Sequence, residues 1–181
     1  MALNCKITKS NNAACETSVS GVLRMWVANY SSDYTFTASG TGCEIDTIDL
    51  GDEHFMEVFF ADGSAYANAN LNAGANADAK SILHQVGGVL NFIDCDLLGD
   101  YKNWLLGKLI FAVLTKNGQV MIFGADNGLN STNFDYATGT ADADAQGITF
   151  LYEGAQKNAP LLVKDVKTIT DLVETPAQPG Q

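Results

Sequence analysis

The sequence predicts a mainly β protein, a β-sandwich or barrel with one flanking α-helix and a long hairpin. Short segments recur in which alternate residues differ in polarity, the period of a half-buried strand. Gly-containing turn dipeptides such as Asp62-Gly63 and Asn117-Gly118 separate several of them. Helical spacing of apolar residues is clear in a single segment. A chain of 181 residues, 46% hydrophobic and 17% charged, suits one domain with its own core.

Residues 1–20 are mostly polar and read as an N-terminal arm, and 21–166 as the domain. Residues 167–181, with Pro176 and Pro179, read as a C-terminal arm. Gly21 to Tyr30 (GVLRMWVANY) is a strong strand, with Val22, Arg24, Trp26 and Ala28 opposed to Leu23, Met25 and Val27. Ser31 to Gly42 is a Ser/Thr/Gly-rich connection. Cys43 to Leu50 alternates, and Gly51-Asp52 turns it into the strand His54 to Ala61.

Next comes the most unusual stretch. Ala65, Ala67, Ala69, Leu71, Ala73, Ala75, Ala77 and Ala79 hold one parity, and Asn68, Asn70, Asn72, Asn76 and Asp78 the other. An extended chain would present a small apolar face and an uncharged polar face. The competing reading is a low-complexity loop, because Ala, Asn and Gly are poor strand formers. The segment after Asp78 is read as a strand, Ile82 to Asp94, with a kink or bulge at Gly87-Gly88. A short helix capped by Asp78 is the alternative.

Asp96 is a good N-cap for a helix in which Leu97, Leu98, Tyr101, Trp104 and Leu105 form an apolar stripe, ended by Gly107. Leu109 to Thr115 and Gln119 to Gly124, joined through Asn117-Gly118, make the best hairpin. Asp126-Asn127-Gly128 turns again, Gly147 to Glu153 is a further strand, and Leu161 to Val166 a last one.

Composition bears on partners. Twenty-one acids against 10 bases give a formal charge of −11. That argues against gripping nucleic acid, which needs clustered Lys and Arg, but not against nucleic acid passing a repelling wall. No secretory leader or membrane span is expected. Cys5, Cys15, Cys43 and Cys95 are widely spaced, which favours reduced thiols.

Catalytic motifs are sparse, and neither an enzyme nor a cofactor is expected. Asp142, Asp144, Gly147 and Glu153 fall on positions one, three, six and twelve of an EF-hand-type calcium loop. Gln146 breaks the pattern and strand-like residues flank it, so a polar turn entering a strand is preferred. His54 and His84 sit within apolar strand patterns with no convergent partners, which favours packing or surface roles.

From the helix Leu97–Leu106 onward, the order of elements resembles the tail-tube-type virion proteins of bacteriophages, particularly those of phages infecting Bacteroidetes. The likeness runs through Leu109–Thr115, Lys116-Asn117-Gly118-Gln119, Val120–Gly124, Gly128-Leu129, Thr138-Gly139-Thr140, Gly147-Ile148-Thr149-Phe150, Glu153-Gly154 and Ala159-Pro160-Leu161. Gly21–Tyr30 fits the opening strand, and the likeness spans roughly residues 20–165. It implies a β-sandwich with a flanking helix whose subunits form rings, commonly of six, that stack into a tube. Hairpins would join into an inner barrel, arms would link rings and other tail proteins, and DNA would pass unbound. The location implied is the virion tail, after synthesis in the host cytoplasm. On this reading Asn68, Asn70, Asn72, Asn76 and Asp78 face the channel, and the alanines pack against the sandwich or a neighbouring subunit. Two alternatives stand beside it: a neck or tail-ring protein of a short-tailed phage, and a calcium-dependent β-sandwich binding module using Asp142, Asp144 and Glu153.

Overall fold

The computed structural model describes residues 19–38, 43–73, 80–90, 95–138 and 147–174. In chain order the described residues form strands β1 (Val22–Asn29), β2 (Thr35–Ala38), β3 (Glu44–Asp49), β4 (Met56–Val58), β5 (Tyr66–Ala73) and β6 (Lys80–Leu90). Helices α1 (Cys95–Gly99) and α2 (Tyr101–Leu106) follow. Then come β7 (Lys108–Thr115), β8 (Val120–Phe123), β9 (Leu129–Ala137), β10 (Gly147–Gln156), β11 (Leu161–Val163) and α3 (Lys167–Thr170). The fold is mainly β, in agreement with the alternating sequence.

All eleven strands belong to one sheet, in the order β2-β3-β11-β8-β7-β9-β10-β6-β5, with β1 joining β7 to β4 off this path. Every pairing is antiparallel except β3 with β11. β7 meets β9 through only Lys108 and Leu109, which makes a corner. Past it the sheet curls back until His84 on β6 packs edge-on against Phe123 of β8.

β1 and β7 are apolar on both faces because a separate core lies on each side of them. Met25, Val27, Phe111, Val113 and Phe123 turn to a core completed by Val86, Phe134, Ile148, Phe150 and Tyr152. Trp26, Ala28, Ile110, Ala112 and Ile122 turn to a second, closed by Ile45, Ile48, Phe55, Val163 and Ile169. The chain runs on past residue 166 into α3, where Ile169 is fully buried. Beyond α3, Glu174 donates its amide to the Phe55 carbonyl.

Several local expectations need correction. The single helix is two short ones, because Gly99, a weak helix former, breaks it before Asp100. Trp104 and Tyr101 still pack on the first core, stacked and edge-on against Phe134. Gly87-Gly88 makes no bulge, since β6 keeps an unbroken register with β10. Instead the Tyr66 ring of β5 lies over Gly87, where an added Cβ would come within 2.8 Å of its Cζ. β2 arises inside the presumed connection, and β9 is a strand too polar to announce itself. Only Leu129 and Phe134 of β9 are buried. Strand β4 is shorter than His54 to Ala61. Cys43 and Cys95 carry free thiols, while Cys5 and Cys15 lie outside the described residues.

Candidate functional site: the amide face of the β5–β6 hairpin

The described part of the Ala/Asn alternation is the strand β5, and its partner is β6. Asn68 lies opposite Gln85, Asn70 opposite Leu83 and Asn72 opposite Ser81. On the far side of β6, Gln85 faces Glu153 of β10, and Glu153 faces Asn130 of β9. Cross-strand neighbours share a face, so Asn68, Gln85, Glu153 and Asn130 form one polar row over four strands. The row is linked by side-chain bonds. Asn70 Nδ2 donates to Gln85 Oε1 at 3.1 Å, and Gln85 Nε2 donates to Glu153 Oε1 at 2.5 Å. Asn68, Asn70 and Asn72 are exposed. On the face that carries Asn68, Asn70 and Asn72, β5, β6 and β10 place no Lys or Arg, and Glu153 is the single formal charge. The exposed Lys80 of β6 lies on the other face, opposite Ala73.

The opposite face of β5 starts inside the core and ends outside it. Ala65 is buried and Ala67 packs against the first core. Ala69, opposite His84, is exposed, and Leu71, opposite Ile82, keeps 69% of its surface open. β5 therefore stands clear of the body at Ala69 and Leu71, while its partner β6 stays paired with β10 out to Ile82. β5 ends the sheet order, so the backbone groups on its outer edge have no partner strand among the described residues.

A buried polar clamp holds the end of β10, where Gln156 pairs with Ile82 of β6. Gln156, 2% exposed, accepts from the amides of Asp126 and Asn127 and donates from Nε2 to the Gly128 carbonyl. The Asp126 carboxylate accepts from the Lys157 and Asn158 amides and from Asn158 Nδ2. Gly128 is required here by its φ of +64° and by the Tyr30 ring, 2.9 Å from where a Cβ would sit. His84 packs beside this turn, with Nδ1 accepting the Gly124 amide at 3.2 Å.

Of the residues singled out in the sequence, the structure unites Asn68, Asn70 and Asn72 on one face. Asn76 and Asp78 lie outside the described residues, as do Asp142 and Asp144 of the calcium pattern. Of the other members of that pattern, Gly147 opens β10 and Glu153 belongs to the amide row. Among the described residues no group of three His, Cys, Asp or Glu side chains is placed to hold a metal ion. No helix among them is long and apolar enough to cross a membrane. Sequence reasoning missed Gln85, although Leu83, Gln85 and Gly87 already share a parity opposed to His84 and Val86.

No family model matches this chain, and neither does any curated protein or solved structure.

Proposed function

We propose that this chain is a structural virion subunit. It self-associates into rings that stack as a tail tube, and the tube conducts DNA during ejection. The observation that carries the reading is the β5–β6 hairpin. It combines an open strand edge, an exposed amide face without basic residues, and an uncovered Ala69–Leu71 surface behind it. A long open edge is an aggregation hazard that closure between subunits removes. A wall of amides with an occasional carboxylate offers phosphates nothing to release counterions against, so DNA slides past it. The order of elements that resembles tail-tube proteins supports the same assignment. Within the ring, copies of this chain are the main partners, and other tail proteins cap the stack. Catalysis and a cofactor have no part in it.

Negative-stain microscopy of the purified chain tests this. Tubes or stacked rings are expected. Discrete, unstacked rings would favour a neck or tail-ring role, and monomers at every concentration would refute self-assembly.

A further inference from the structure

We propose that His84 is an acid-sensitive latch, tying β6 to the β8–β9 turn beside its ladder with β10 and loosening the β5–β6 hairpin on protonation. His84 is the outermost fully buried residue of β6; Ile82, two residues further out, is half-buried and still pairs with Gln156 of β10. Val86, two residues toward the core, is fully buried, whereas Leu71 and Ala69 on the outer side are exposed. Its Nδ1 accepts the Gly124 amide, so that nitrogen carries no proton and the neutral ring holds its proton on Nε2. Nε2 is buried and has no partner at hydrogen-bond geometry. The turn is held independently of the ring: the Gly128 amide donates to the Gly124 carbonyl, and Gln156 accepts from the Asp126 and Asn127 amides.

Protonation turns both ring nitrogens into donors. The Gly124 amide then faces an N–H, and a charge sits in a site only 2% exposed. The groups around the ring do little to hold that charge. β5 offers Ala69, β10 offers Gly154, with neutral Tyr152 two residues along the same face, and β8 offers the Phe123 ring. The Asn158 backbone favours the protonated ring only in part. Asp126 of the β8–β9 turn is the charged group that acts on the ring, and its oxygens are already taken by residues 157 and 158. Burial lowers the His84 pKa from its ordinary value, against the weaker pull of the Asn158 backbone and Asp126. The sign follows. The latched form is fully favoured above about pH 6.5 and loses about tenfold in its closing equilibrium per pH unit below that, down to the folded-state value.

This latch operates within one chain and does not depend on ring formation. The test is hydrogen–deuterium exchange of the full chain in a His54→Gln background, at pH 7.5 and 5.5, corrected for intrinsic exchange. Protection over residues 66–73 and 80–86 should fall severalfold at the lower pH, and His84→Gln should remove the dependence. No loss in the parent, or an equal loss in His84→Gln, overturns the proposal. Should His84→Gln fail to fold, NMR of the parent decides. The Gly124 amide resonance should move with the His84 imidazole titration; a fixed amide beside a titrating ring overturns the latch.

Discussion

Replacing Leu71 with Thr separates a surface used for assembly from one used for folding. Complete burial of a leucine side chain contributes about 2 kcal/mol, so with 69% of Leu71 exposed in the single chain, about 1.4 kcal/mol is still available to an interface. Thr keeps a strand-forming, β-branched side chain while removing most of that apolar area. The folded subunit should change by less than about 0.5 kcal/mol, as exposed positions do. Association should weaken by about tenfold per contact. Sedimentation velocity over a concentration series, run beside thermal melts, reads both quantities. Leu71→Met, which preserves apolar bulk, should assemble normally. Unchanged association in Leu71→Thr would refute the role given to this face. A large drop in melting temperature would equally refute the view that Leu71 is free of the subunit's own core.

Gln156→Leu removes three hydrogen bonds from a buried clamp. It should cost about 2–4 kcal/mol in urea unfolding, and a loss below about 1 kcal/mol would mean that the β8–β9 turn is held by other groups. Burial pushes the Tyr152 phenol well above its ordinary value, with its hydroxyl donating to the Trp104 carbonyl. Because the folded state favours the neutral phenol, stability is held below about pH 10 and falls above it by up to about 1.4 kcal/mol per pH unit. Tyr152→Phe should remove that portion of the alkaline loss, as measured by unfolding at pH 9 and 11. Changing Asn68, Asn70 and Asn72 together to Lys should leave rings intact and slow DNA release, because three cations per subunit would then hold phosphates; ejection at the normal rate would sink the channel-facing assignment.

Much of the fold was legible because burial leaves a period in the sequence. GVLRMWVANY and the Asn117-Gly118 hairpin form strands where alternation and turn chemistry put them, with one exception. A bulge between Val22 and Arg24 moves Val22 from the face of Trp26 to the core of Met25 and Val27 and leaves Leu23 exposed. β9 was not legible. Its buried side chains are Leu129 and Phe134, and the rest, LNSTNFDYA, reads as loop without its neighbours. The helix break at Gly99 depends on one weak helix former within an otherwise regular stripe. The Asn parity of the candidate site was readable from spacing alone. Its extension to Gln85 and Glu153 was not, because cross-strand register is a long-range property that no local pattern specifies. Gln156 and His84 were hidden for a similar reason. Their partners lie 28 to 40 residues away in the chain.

The orientation of the hairpin within an assembly bears most directly on the account. Electron cryomicroscopy of the assembled protein, at a resolution that traces the strands, should place Asn68, Asn70, Gln85 and Glu153 on the wall of a central bore, with Leu71 buried between subunits. Assemblies that turn these residues outward, or that leave the β5 edge unpaired, would contradict it.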